Sequence, residues 1–204
     1  LPVVGGIKMK INYRCCVFKK SVVALQDCPP ANAEVAFVGR SNAGKSSALN
    51  YLTGQKIAKI SKTPGRTQLL NYFALGNDLF LVDLPGYGYA KVDHQTRQRW
   101  QRLIGDYLVN RTALIGVIMV MDCRHPLQAS DAMMLDFCAD RGLQAHIILT
   151  KADKLSKNQQ MAKLHALRKD LAIDWDFASA QLLSSTKRSG ADELAMLLDS
   201  WLVS

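Results

Sequence analysis

The sequence predicts an α/β fold of three layers, a mostly parallel six-stranded sheet with helices on both faces. Two observations carry that prediction. Short apolar runs alternate with helical patterns along the chain. A glycine-rich loop joins the first of those runs to the first helix, the strand-loop-helix order in which phosphate is bound. At 204 residues the chain is long enough for one substantial core, and no compositional break divides it. Residues 1–33 therefore read as an N-terminal arm and residues 34–204 as a single domain.

The strand candidates, in order, are Glu34 to Val38, Leu69 to Leu75, Asp78 to Val82, Ile115 to Met121, Ala145 to Leu149 and Ala180 to Ser184. Each has the length and apolar content of a buried strand. The longest apolar stretch, Leu114 to Met121, is far too short for a membrane span. Gly76-Asn77 is a tight turn, so the second and third strands are expected to pair antiparallel. Helices are predicted over Ser46 to Leu52, His94 to Val109, Gln128 to Asp140, Lys157 to Leu171 and from about Asp192 onward. On the last, Leu194, Leu197, Leu198 and Trp201 share one face and read as core. Open sheets of this kind bind ligands at the carboxyl ends of their strands, which is where the sharpest motifs fall.

The segment Gly39-Arg40-Ser41-Asn42-Ala43-Gly44-Lys45-Ser46, extended by Ser47, has the spelling and the setting of a phosphate-binding P-loop. Its glycines let successive N–H groups face inward, Lys45 can reach the terminal phosphates, and the Ser46 hydroxyl can ligate magnesium. The ligand implied is a nucleotide. Asp83-Leu84-Pro85-Gly86 follows another apolar strand, where the aspartate can hold magnesium through water and the Gly86 N–H can touch the terminal phosphate. Thr150-Lys151-Ala152-Asp153 ends a third strand. Its Asp153 can accept from guanine's ring N–H and exocyclic amine, a pair adenine lacks, so one carboxylate can select GTP over ATP by orders of magnitude. Lys151 is expected to lay its aliphatic stem along the base. Ser184, Ser185 and Thr186 can supply backbone N–H to the exocyclic oxygen.

Between the P-loop and Asp83 lies Ser61-Lys62-Thr63-Pro64-Gly65-Arg66-Thr67-Gln68, rich in turn residues. It reads as a first switch, with Gly65, Arg66 and Thr67 at the nucleotide, Thr67 as magnesium ligand and Thr63 as the alternative. A loop held by the terminal phosphate orders with GTP and loosens after hydrolysis. Lys45, Thr67 and Gly86 are the catalytic candidates, for in-line attack of water on that phosphate.

The formal charge is +9 with a pI near 9.4, unevenly spread. From Val35 to Asn77 there is no acidic residue, while Arg40, Lys45, Lys56, Lys59, Lys62 and Arg66 are basic. The arm adds Lys8, Lys10, Arg14, Lys19 and Lys20 against Asp27 and Glu34. Either this is a solvated surface or a polyanion beyond the nucleotide, RNA, is a partner. Cys15, Cys16, Cys28, Cys123 and Cys138 show no C-x-x-C pair, and His94, His125, His146 and His165 no ligand spacing. A reducing cytosol fits, and a structural zinc site does not. Leu1 to Lys8 reads as an expression remnant or a native extension before a start at Met9, not as a secretion signal.

Taken together, these residues resemble the translation-factor-related P-loop GTPases, and among them the EngB family. The phrases that carry the resemblance are residues 39–47, Lys62-Thr63-Pro64-Gly65-Arg66-Thr67-Gln68, Asp83-Leu84-Pro85-Gly86-Tyr87-Gly88-Tyr89-Ala90, Asp122-Cys123-Arg124-His125-Pro126 and Thr150-Lys151-Ala152-Asp153-Lys154-Leu155. It covers roughly Phe18 to Leu202. The resemblance implies a P-loop GTPase fold and a bacterial, cytoplasmic GTPase that assists late assembly of the large ribosomal subunit, with Mg2+ as cofactor. It also implies that loss of the protein is associated with defective division and septation. A monomer that binds GTP and GDP and no membrane is expected.

Within that resemblance Tyr87 stands where many signalling GTPases place the glutamine that orients the attacking water, a task an aromatic ring cannot perform. Hydrolysis is then slow until a partner completes the site, or another group positions the water. Related GTPases with asparagine at the Asn42 position can hold K+ beside the phosphates; the alternative is that Asn42 only shapes the loop. Thr150 departs from the asparagine common in the wider superfamily. Arg124-His125-Pro126 reads as structural or partner-facing, and Arg97, Arg99, Arg102 and Arg111 as either an RNA-facing surface or a solvated helix face. The leading functional expectation is a slow GTPase switch that docks on ribosomal RNA or protein. The alternatives are a GTP-dependent regulator of division or signalling proteins that uses no RNA, and an ATPase or nucleotide kinase, which Asp153 disfavours.

Overall fold

The computed structural model of the chain describes residues 10–58, 69–87 and 94–203, with the side chains of 94–101 outside that description. Its sheet has seven strands where the sequence predicts six: β1 (Val17–Val22), β2 (Ala33–Gly39), β3 (Leu70–Gly76), β4 (Leu79–Asp83), β5 (Leu114–Asp122), β6 (Gln144–Thr150) and β7 (Ala178–Leu182). They lie in the order β1-β3-β4-β2-β5-β6-β7. β4, β2, β5, β6 and β7 run parallel, while β3 pairs antiparallel with both β4 and β1. The β3–β4 hairpin turns at Gly76, Asn77 and Asp78, all at positive φ, as the turn residues require.

The strand absent from the sequence reading is β1, drawn from the arm. Four of its six residues are exposed, and Lys19 and Lys20 interrupt the apolar alternation that marks a buried strand. Phe18 anchors it edge-on against Phe73, with ring centroids 6.0 Å apart.

Five helices cover the sheet: α1 (Lys45–Thr53), α2 (His94–Asn110), α3 (Ala129–Arg141), α4 (Lys157–Asp174) and α5 (Ala191–Leu202). Alternation along the two-sided strands divides the core. Val35 and Phe37 of β2 pack with Leu49 of α1 and Leu194 and Leu198 of α5. Ala36 and Val38 pack on the other side with Tyr107 of α2, Leu135 of α3 and Leu167 of α4. The stripe of α5 is core as its spacing predicts, with Leu197 and Trp201 packed at its margin.

Two buried polar networks brace this frame. Glu34 at the start of β2 is fully buried and accepts from the Tyr107 hydroxyl at 2.8 Å, the Tyr72 hydroxyl at 3.3 Å and Arg111 Nε at 2.9 Å. Arg111 is thereby committed to the interior end of α2 rather than to an RNA-facing surface, because an unpaired carboxylate at this depth would be several kcal/mol worse. Arg102 is exposed, whereas the side chains of Arg97 and Arg99 lie outside the described residues.

The second network joins β6 to β7. His146 Nε2 meets Gln181 Oε1 at 3.0 Å and Nδ1 meets Ser179 Oγ at 2.7 Å. Gln181 Nε2 in turn donates to Gly190 O at 2.7 Å, which pins the loop after β7. Burial pushes the His146 ring down from 6.5 to about 4. Below pH 6.5 the unfolded chain takes up a proton that the folded chain refuses. Stability from this group is therefore complete above pH 6.5 and falls by on the order of 3 kcal/mol towards pH 4. Urea midpoints measured between pH 7 and 5 should fall less steeply for His146→Gln than for the unchanged chain, and equal slopes would remove His146 as the source.

Candidate functional site

β2 ends at Gly39 and α1 begins at Lys45, so the loop between them sits at the carboxyl end of the central strand. A Cβ on Gly39 would lie 2.6 Å from the carbonyl oxygen of Val120, a backbone atom that cannot step aside, so the loop's entry requires glycine. At its exit Gly44 has φ +102° and serves as the N-cap of α1 without any side-chain cap. The first-turn N–H groups of α1, with the positive end of its dipole, are thus left to an anion. Between these glycines Ala43 N–H donates to Arg40 O at 3.0 Å, and Asn42 takes the left-handed conformation.

The Asp83 segment extends the parallel pairing of β4 with β2 onto this loop. Leu84 N–H donates to Phe37 O at 3.1 Å, Tyr87 N–H to Gly39 O at 3.1 Å, and Ser41 N–H to Tyr87 O at 3.2 Å. Gly86 is thereby laid over the P-loop, where a Cβ would meet Ser41 N and Cα at 3.3 Å. Lys45 forms an ion pair with Asp83, both side chains being largely buried. Tyr87 turns away from this cleft. Its hydroxyl donates to Asp131 Oδ1 at 2.7 Å, and burial followed by the Asp131 charge raises its pKa. Asp131 is itself buried and caps α3, its Oδ2 accepting from Gln128 N–H at 2.9 Å.

At the end of β6, the Thr150 hydroxyl bonds to Ala43 O in the P-loop and lies 3.0 Å from Met121 O of β5. Lys151 Nζ donates to Asn42 O at 2.6 Å and pairs with Asp122 at 3.0 Å. Arg124 grips Asp122 through Nε at 2.9 Å and Nη2 at 2.6 Å. The Arg124 hydrogen bond, and behind it Lys151, holds the Asp122 carboxyl well below the usual carboxylate range. Sequence reasoning gave no site role to Asp122 or Asp131. The available signal for Asp122 was its place at the carboxyl end of an unbroken apolar run, which the structure shows to be in register with Thr150.

A cavity of about 240 Å³ opens beside Gly44, bounded by Ser47, Thr150, Lys151 and Asp153 and closed by Ser185 and Thr186. The Lys151 stem forms part of its wall, its ammonium being tied off at Asn42. Ser184 N–H is committed to Ser189 O at 3.1 Å and its hydroxyl accepts from Lys187 N–H at 3.1 Å, which leaves the next two residues to line the cavity. Gly65, Arg66 and Thr67, with the alternative Thr63, lie outside the described residues.

A hard divalent cation fits the oxygen donors here: the Ser46 hydroxyl in the first turn of α1 and the Asp83 carboxylate beside Lys45. Among the described residues no group of three or more His, Cys, Asp or Glu forms a protein-only metal cage. That suits Mg2+, which keeps waters and leans on phosphate oxygens. No helix among the described residues is long and apolar enough to cross a membrane.

The family model for the 50S ribosome-binding GTPases matches residues 34–151 of this chain. A probable GTP-binding protein EngB of Thiobacillus denitrificans is 50% identical over 186 residues, 91% of this chain and 90% of that protein. Another, of Neisseria meningitidis serogroup B, is 51% identical over 188 residues, 91% and 90% of the two chains. A crystal structure of a probable GTP-binding protein engB has a TM-score of 0.64 at 19% identity and covers 82% of this chain and 98% of its own, a likeness of fold.

Proposed function

The chain belongs to the EngB family, within the 50S ribosome-binding GTPases, and on that premise we propose that it is a slow GTPase switch in assembly of the large ribosomal subunit. One observation supports this reading most: the P-loop meets the Asp83–Gly86 segment, through the Lys45–Asp83 pair and the approach of Gly86 to Ser41, and through Gly44 it also borders the Asp153-bearing cavity. Residues 39–47 cradle the phosphates, with Lys45 drawn from Asp83 to the terminal phosphate. Asp153 accepts from guanine's ring N–H and amine, and Ser185 and Thr186, with Ser184 behind them, face its exocyclic oxygen. An adenine there would leave the carboxylate unpaired, a loss of several kcal/mol.

Ser46, Thr67 and Asp83 are the proposed magnesium ligands, directly or through water. Mg2+ when bound offsets charge on the β and γ phosphates. Gly65, Arg66 and Thr67 close over the terminal phosphate, and the Gly86 N–H senses it. Since Tyr87 is turned to Asp131, no side chain at that position orients the attacking water, and a low intrinsic rate follows. Asn42 is the proposed residue for holding K+ beside the phosphates. Hydrolysis should then run about tenfold or more faster in potassium than in sodium at equal ionic strength, and equal rates would leave Asn42 a shaping role only.

The GTP form docks on ribosomal RNA or protein in the cytoplasm and hydrolysis releases it. Loss of the protein is expected to impair division and septation. The test is co-sedimentation of the protein with large ribosomal subunits, loaded with a non-hydrolysable GTP analogue or GDP. Pelleting favoured by the analogue and weakened between about 50 and 200 mM salt is expected. Equal absence of binding in both states would favour a regulator of division proteins that uses no RNA.

A further inference from the structure

On the α1 and α5 side of the sheet lies an open groove of about 890 Å³ whose lining contains none of the residues at the β4 end. Its walls are built. Tyr13 in the arm donates to Asp199 of α5 at 2.9 Å, and Ile11 N–H reaches the same carboxylate at 3.3 Å. Gln55, just past α1, donates to the arm carbonyls of Arg14 and Cys16, the latter at 3.0 Å. Asn50 bonds both ways with Ala58, at 2.8 and 2.9 Å. The Asn50 and Gln55 side chains are thus committed to holding the walls.

What the walls present is cationic. Arg14, Lys56 and Arg188 line the groove, all three exposed, and none forms an ion pair among the described residues. The Arg14 side chain lies over Gly54, the αL cap of α1, within 3.9 Å of where a Cβ would stand. Among the described residues Asp192 is the one acidic residue in the lining, and its charge and that of Arg188 both act on the half-exposed Tyr51. A merely solvated face intersperses both signs of charge, whereas here three cations share a groove with one tyrosine and, among the described residues, a single carboxylate. The groove also shares Ser47 and Ser185 with the cavity beside Gly44, so its occupant would border the bound nucleotide.

We propose that this groove binds a single strand of RNA, its phosphates meeting Arg14, Lys56 and Arg188 and one of its bases lying on Tyr51. The proposal rests on the ribosomal reading above and names the surface that carries it. A charged groove tracking the backbone beside an aromatic platform is how single strands are held without sequence preference.

The test uses the full chain loaded with a GTP analogue, a labelled single-stranded RNA of about 20 nucleotides and purified large subunits. One variant carries Arg14→Ala, Lys56→Ala and Arg188→Ala. A second removes the same charge from exposed positions elsewhere, Arg141→Ala, Lys163→Ala and Lys169→Ala. The groove variant should bind RNA roughly tenfold or more weakly, with the slope of log affinity against log salt reduced by roughly 0.7 per cation removed. GDP affinity should be unchanged, and the second variant should bind RNA as the unchanged chain does. Groove and control variants that weaken equally would overturn the proposal. So would a groove variant that binds both RNA and subunits normally, leaving the ribosomal reading intact. Subunit binding that the groove variant loses in a protein with no affinity for free RNA would assign the groove to a protein partner instead. An unchanged chain that binds neither RNA nor subunits would end the ribosomal reading and this proposal together.

Discussion

The attachment of the P-loop to the end of β6 is the interaction on which the rest of the site depends. A loop that points N–H groups at one anion can pair few of them internally, so much of its shape has to come from outside. The Thr150 hydroxyl bonds to Ala43 O, and Lys151 Nζ holds Asn42 O at 2.6 Å. Each contact acts on a carbonyl and leaves the amides free. Both residues come from the strand end that also carries Asp153, so the P-loop and the proposed guanine reader form one mechanical unit. Thr150 is a sufficient replacement for an amide at this position because what the loop needs there is one donor at short reach.

From that unit two lines of contact run outward. One passes through Ser41 and Tyr87 to Asp131, so the segment bearing Gly86 is hydrogen-bonded to the P-loop and latched to α3. The other passes from Lys151 to Asp122 and Arg124, two cations sharing one carboxylate at the end of β5. Behind them, Glu34 with Tyr72, Tyr107 and Arg111 ties the start of β2 to the end of α2. Helix α2 is therefore anchored at its far end.

Most of the sheet was legible in the sequence because its central strands are buried on both faces and read as unbroken apolar runs. β1 was not, since an exposed edge strand carrying Lys19 and Lys20 looks like a charged arm. The P-loop, Asp83 and Asp153 stand out in the sequence because the chemistry expected of them depends on local spelling. Arg111, Asp122 and Asp131 were not, because their roles depend on partners at 77, 29 and 44 residues' remove: Glu34, Lys151 and Tyr87. Such pairings are fixed by strand register and helix placement, which a single sequence does not spell out.

By bracing the loop at Ala43 O, Thr150 is expected to set nucleotide affinity. Thr150→Val preserves shape and removes the hydroxyl. GDP affinity measured by titration calorimetry should fall about tenfold, the equivalent of one buried hydrogen bond, with the thermal midpoint little changed. A folded Thr150→Val protein that binds GDP as tightly as the unchanged chain would contradict it.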